Sequence, residues 1–166
     1  MQFSDIIGQT TTRQHLTELV AHNRLSHALL FTGKEGNGAL ALAIAFAQYL
    51  VCEKTSNLNV QQGPSLFGDP EPQISNAELQ TDSCGQCPSC QKVQQLIHPD
   101  IHFSYPTVTI KSGDKPIATD FISEWRDFIK TNPYGNLFDW IELIKEKENS
   151  QGKITAEECN DIIRKL

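Results

Sequence analysis

The chain has 166 residues, enough for one domain with its own core, and 39% of them are hydrophobic and 20% charged. Its formal net charge is −6, and no basic stripe interleaved with aromatic residues marks a nucleic-acid surface. It has no apolar run of about 18 residues and no charged-then-apolar leader, so neither a membrane span nor a secretory signal is predicted, and a cytoplasmic location is expected.

The first elements in chain order are predicted to be a helix, a strand and a second helix. The stretch "TTTRQHLTELVAHN", residues 10–23, carries apolar residues at helical spacing. "HALLFT", residues 27–32, is a short apolar run followed by glycine, which is typical of a buried parallel strand. Residues 38–50 are Ala-rich and almost continuously apolar, which indicates a helix packed against a sheet.

Between the strand and the second helix lies a glycine loop, with Gly33, Gly36 and Gly38. It resembles a phosphate-binding loop, in which a final Lys reaches the outer phosphates and a Ser/Thr holds Mg²⁺. Ala39 and Leu40 stand at those two positions. We therefore expect ATP to bind weakly or not at all, and we expect no Mg²⁺-dependent hydrolysis. Backbone donors still leave weak anion binding open, and the simplest alternative is a tight turn with no ligand.

A cysteine cluster follows a long polar segment at residues 53–83, which reads as an excursion from the fold. The sequence "CGQCPSC" places Cys84, Cys87 and Cys90 in one tight turn. In a cytosolic chain such a cluster points to a metal site, and structural Zn²⁺ takes four thiolates in a closed tetrahedral shell. Cys52 could supply the fourth ligand from the end of the second helix.

Other readings of these cysteines remain open. An iron–sulfur site would use a related spacing, but Gln94 stands at the position of the fourth cysteine of that pattern. His98 or His102 could replace Cys52 as the fourth ligand. Cys159 lies among charged neighbours and is interpreted as an ordinary half-buried helix residue.

The rest of the chain is predicted to contain a second strand and further helices. Residues 101–105 form the strand, and residues 121–132 and 137–149 each carry apolar residues at spacings of three and four. A final helix begins with a capping box formed by Thr155 and Glu158.

These pieces in this order resemble the N-terminal module of bacterial clamp-loader subunits, the AAA+ proteins that open a sliding clamp and place it on primed DNA. The resemblance implies an α/β domain of the AAA+ or P-loop type, with three layers, an incomplete parallel sheet, extra helices and an inserted zinc module at residues 53–97. It covers roughly the first hundred residues. The matching stretches are "FSDIIGQ" at 3–9, "RLSHALLFTGKEGNG" at 24–38, Cys52, the triple-cysteine turn and "HPDI" at 98–101.

The resemblance also implies a function. Motor subunits of the family keep the Lys and Thr that end the loop, so Ala39 and Leu40 imply the class that does not hydrolyse ATP. Residues 1–166 would then be an N-terminal AAA+ domain of a non-catalytic subunit with a structural Zn²⁺. Its implied partners are the motor and delta subunits, with indirect contact to primed DNA and the sliding clamp, and no membrane.

Two departures from the family pattern add expectations. Residues 119–150 are longer than the usual link and are interpreted as a lineage-specific helical insertion. An acidic Walker-B strand and the family's Ser-Arg-Cys motif are missing, which suggests a fragment of a longer chain. The alternative functions are an active P-loop ATPase motor subunit and a zinc-stabilised adaptor unrelated to replication.

Overall fold

The computed structural model describes residues 1–56, 81–110, 113–145 and 150–165. The chain divides into two compact units, of which the first comprises residues 1–32 and 39–98, and the second residues 33–38 and 99–166. In the described ranges no helix is both long enough and apolar enough to cross a membrane. The helices are α1 (Thr10–Ala21), α2 (Ala39–Val51), α3 (Glu53–Ser56), α4 (Pro88–Gln94), α5 (Ile122–Thr131), α6 (Leu137–Ile144) and α7 (Ala156–Lys165), with 3₁₀ turns at Phe3–Asp5 and Ala118–Phe121.

The predicted helices are confirmed, with shorter ends in several cases. The prediction for residues 137–149 is met as far as Ile144, where α6 ends, and residues 146–149 lie outside the described part. Most of the polar excursion, residues 57–80, also lies outside it. Helix and turn preferences are local, so they can be read from short stretches of sequence.

The two predicted strands are not seen as strands. Residues 27–32 and 101–105 are irregular, and among the described residues the β pairing is an isolated antiparallel bridge between Thr107 and Lys153. Leu30, expected inside a sheet, is 89% exposed. A strand forms only where a neighbour supplies backbone partners, which the described residues do not provide for these segments. The parallel sheet therefore stays a prediction.

The core of the first unit is built around α2, whose sequence is apolar on nearly every side. Such a helix has no polar face to turn to water, so it is buried along most of its length. The 3₁₀ turn at the chain start contributes Phe3, whose ring centroid lies 5.6 Å from that of Tyr49 and 6.4 Å from that of Phe46. The buried members of this core are Phe3, Ile6, Leu16, Ala41, Leu42, Ala45, Phe46 and Tyr49.

The second unit has an aromatic core between α5 and α6. Tyr105 stacks on Trp125 with ring centroids 4.1 Å apart, and Trp140 meets Trp125 edge-on at 5.0 Å. Aromatic pairs favour these two geometries. Two of the rings also have paired polar atoms, because the Trp140 Nε1–H donates to the Pro106 carbonyl at 2.7 Å and the Tyr105 hydroxyl donates to the Ala118 carbonyl at 2.6 Å. The buried Nε1–H of Trp125 has no hydrogen-bond partner among the described residues.

The predicted capping box of the last helix forms only in part. Thr155 Oγ1 accepts from the Glu158 backbone N–H at 3.2 Å, as expected at the start of α7. The Glu158 carboxylate, however, is buried and accepts from the Ala118 N–H at 2.6 Å. Burial, and then the negative charge of Glu158, raise the pKa of Tyr105, which keeps its hydroxyl protonated as a donor. The Glu158 carboxylate thus binds the distant Ala118 N–H instead of closing the capping box at Thr155.

Candidate metal centre

The triple-cysteine turn is held by hydrogen bonds to sulfur. The Cys87 N–H donates to Cys84 Sγ at 3.3 Å, and the Cys90 N–H donates to Cys87 Sγ at 3.4 Å. Cys87 is also the residue that caps α4, and Pro88 begins that helix. Gly85 has φ +67°, a left-handed conformation that suits glycine. The two hydrogen bonds fix the Sγ atoms of Cys84 and Cys87 on the side of the turn that carries Cys90.

Cys52 joins the turn from a distant part of the sequence. It follows the end of α2 and is fully buried, and its Sγ accepts from the Cys84 N–H at 3.3 Å. The Sγ atoms of Cys52, Cys84, Cys87 and Cys90 all lie within 4.8 Å of one another. Four sulfur atoms gathered so closely could hold a metal ion.

The geometry and donor set fit a tetrahedral ion such as Zn²⁺. With Zn–S bonds of about 2.3 Å, the sulfurs of a tetrahedral shell lie about 3.8 Å apart. The Sγ atoms of Cys84 and Cys90 are 3.9 Å apart. The four thiols would fill all four positions, which leaves none for water or substrate.

Two of the four thiols have pKa values that are shifted in opposite directions. Burial alone would raise the pKa of Cys84, but the backbone donors of Gln86 and Cys87, with the neighbouring thiols, lower the pKa to about 6. Burial, and then the contact with Cys87, raise the pKa of Cys90. A cation bound among these sulfur atoms would favour their ionised form, because an opposite charge nearby stabilises a thiolate.

Polar contacts with the start of the chain fix the approach to the cysteine turn. Gln2 Nε2 donates to the Ser83 carbonyl at 2.6 Å, and Gln48 Nε2 donates to Ser83 Oγ at 2.9 Å. The Asp82 carboxylate accepts from the backbone N–H groups of Phe3 and Ser4, both at 2.9 Å. Sequence reasoning missed these residues, since nothing in the sequence pairs positions so far apart. They hold the cysteine turn near the end of α2.

The other candidate ligands lie elsewhere. Within the described residues, the group of possible metal ligands consists of the four cysteines and includes neither His98 nor His102. His98 is the last residue of the first unit and is buried, whereas Cys159 is exposed on α7 in the second unit. The structure thus assembles Cys52 with the turn, and an exposed Cys159 differs from the half-buried residue expected.

The glycine loop is a tight turn at the start of the second unit. The Asn37 N–H donates to the Lys34 carbonyl at 3.1 Å, and Gly36 and Gly38 have φ of +73° and +81°. α2 begins directly after the loop, at Ala39. One backbone donor that a phosphate loop would offer to an anion is therefore already used inside the turn.

The four-cysteine group and a glycine loop without its Lys and Thr are two features that the clamp-loader resemblance implies. The family model described as "DNA polymerase III, delta subunit" matches residues 8–65. The DNA polymerase III subunit delta' of Bacillus subtilis (strain 168) is 31% identical over 87 residues, which cover 52% of this chain and 19% of that protein. These matches support a clamp-loader delta-prime-like protein. No solved structure is significantly similar to the chain.

Proposed function

We propose that the chain is the N-terminal part of a non-catalytic, delta-prime-like subunit of a bacterial DNA polymerase III clamp loader. It would act in the cytoplasm during DNA replication, by contact with the motor and delta subunits. The B. subtilis relative is the main support, and this chain spans 19% of its length. The four-cysteine group and the loop that lacks its cation and hydroxyl agree with the same assignment.

The loop sequence carries the non-catalytic part of the proposal. Phosphoryl transfer depends on a metal ion and on positive charge at the outer phosphates. Ala39 has no charge and Leu40 has no hydroxyl to hold Mg²⁺. Lys34 lies within the loop and is exposed, so it does not stand where the missing lysine would be. The subunit would therefore contribute to clamp loading as a partner and not as a motor.

Reconstitution with the motor and delta subunits of the same organism tests this role. We expect the chain to co-elute with them in size-exclusion chromatography and to show no Mg²⁺-dependent ATP hydrolysis by itself. Any residual hydrolysis should be the same in a Lys34→Ala variant, which marks it as background. Hydrolysis that disappears in that variant would favour the motor alternative, and failure to co-elute would favour an adaptor outside replication.

We further propose that Cys52, Cys84, Cys87 and Cys90 bind one structural Zn²⁺. The support is the closeness of the four Sγ atoms and the match between the Cys84–Cys90 spacing and a tetrahedral shell. When bound, the ion would supply the positive charge that four thiolates need. It would join the end of α2 to α4 and so stabilise the first unit.

Elemental analysis of the purified chain is expected to give one zinc per chain, because the closed set of four sulfur ligands suits that ion. A Cys159→Ser variant is the matched control and should keep the full amount, since Cys159 lies outside the group. A brown protein that contains iron would instead support the iron–sulfur alternative. A metal-free protein would contradict any metal site.

A further inference from the structure

The glycine loop is in contact with the turn that connects α5 to α6. This turn, residues 132–136, is called the Tyr134 segment below. A methyl group added to Gly38 would come within 2.5 Å of Tyr134 Cε1 and 3.0 Å of its Cδ1. The tyrosine ring therefore lies directly against the Gly38 backbone. Both residues belong to the second unit.

A polar contact joins the same two segments. Asn136 Nδ2 donates to the Glu35 carboxylate at 3.4 Å. The other side of the Asn136 amide caps α6, because its Oδ1 accepts from the Asp139 N–H at 2.9 Å. The residue that starts α6 is thus also a residue that touches the glycine loop.

The Tyr134 segment is itself anchored to the aromatic core. A methyl group added to Gly135 would come within 2.5 Å of Phe128 Cζ, and the Gly135 N–H donates to the Asn132 carbonyl at 3.0 Å. Phe128 in turn lies 5.5 Å from Trp140 between ring centroids. The position of Tyr134 is therefore set by the packing of α5 and α6 and is not that of a loose loop.

The first glycine of the loop is covered as well. A methyl group added to Gly33 would come within 2.7 Å of Asn37 Nδ2, so the Asn37 side chain folds back over Gly33. A phosphate-binding loop needs open space around its glycines, so that phosphate can approach the backbone N–H groups. Here a side chain covers one glycine at the start of the loop and an aromatic ring covers another at its end.

We propose that the Tyr134 segment is a built-in cover for the glycine loop, which excludes phosphate groups independently of Ala39 and Leu40. The inference goes beyond the role in a clamp loader, since it assigns a purpose to the helical insertion at residues 119–150. The loop would serve as an attachment point for the insertion. Gly38 is needed there because a side chain at this position would displace the tyrosine ring.

Calorimetric titration with Mg²⁺-ATP tests the cover in a loop whose sequence has been restored. The double variant Ala39→Lys, Leu40→Thr should bind ATP no better than the unmodified chain, because Tyr134 still covers Gly38. Adding Tyr134→Ala should lower the Kd by at least about tenfold. Adding Tyr134→Phe, the matched control, should leave it unchanged, since the ring remains. The proposal is overturned if the double variant has the same affinity for ATP with and without Tyr134→Ala. It is also overturned if neither of these two proteins binds ATP.

A second measurement needs no substitution and so does not depend on a variant that folds. In the unmodified chain, nuclear Overhauser contacts are expected between the ring protons of Tyr134 and the Hα protons of Gly38, because the ring lies against that backbone. Their presence supports the cover. The proposal is overturned if these contacts are absent and the Tyr134 ring also shows no contact to any residue from 33 to 38.

Discussion

Replacing Cys87 with serine is expected to abolish binding of the proposed Zn²⁺ and to destabilise the first unit. A structural zinc site contributes its binding free energy to folding, so the loss of one thiolate removes part of that stabilisation. We expect the melting temperature to fall by roughly 10 °C. Cys87 suits this test because it is only half-buried, so serine adds little cost of its own. Circular dichroism melts and zinc analysis on the same samples measure both effects.

Cys159→Ser is the control for this substitution, because it changes the same residue type at an exposed position outside the group. Its melting temperature and zinc content should match those of the unmodified chain. Hydrogen exchange gives a local readout, in which the Cys87→Ser variant should show faster exchange across α4. A variant that loses its zinc and yet melts as the unmodified chain does would contradict a structural role for the ion.

Replacing Trp140 with alanine is expected to be the most damaging change in the second unit. The side chain is 2% exposed, it contacts the rings of Tyr105 and Trp125, and its Nε1–H donates to the Pro106 carbonyl. Removing a buried aromatic side chain of this size costs about 3–5 kcal/mol of unfolding free energy. Urea denaturation followed by the fluorescence of Trp125, the other tryptophan of the chain, measures the loss.

Phe138→Ala is the matched control, since it removes an aromatic side chain from the same helix at a position that is 68% exposed. Its effect should stay within about 0.5 kcal/mol. Trp140→Phe should fall between the two, because it keeps most of the buried area and loses the hydrogen bond. Equal stability of the Trp140→Ala and Phe138→Ala variants would show that the aromatic core does not hold the second unit together.

The two segments predicted as strands are where the sequence and the structure differ most. The apolar run at residues 27–32 predicts a strand by its composition, yet Leu30 is 89% exposed and the run is irregular. A helix satisfies its backbone within its own segment, whereas a strand depends on a neighbour that composition does not specify. The helices were therefore predicted well, whereas the sheet stays a prediction.

The sequence by itself determined the local features of this protein. The spacing of Cys84, Cys87 and Cys90 forces three sulfurs into one turn, and the periodicity of α5 and α6 marks their buried faces. These features depend on residues within a few positions of each other, so short-range geometry settles them.

Only the tertiary structure decided which distant residues meet. It brought Cys52 to the cysteine turn, paired Glu158 with the Ala118 N–H, and set Tyr134 against Gly38. Each of these contacts joins residues far apart in the chain, and their closeness follows from how helices pack around the two cores. A sequence pattern records which side of a helix is buried but not which distant segment covers it, and that is why the cover over the glycine loop had no signal in the sequence.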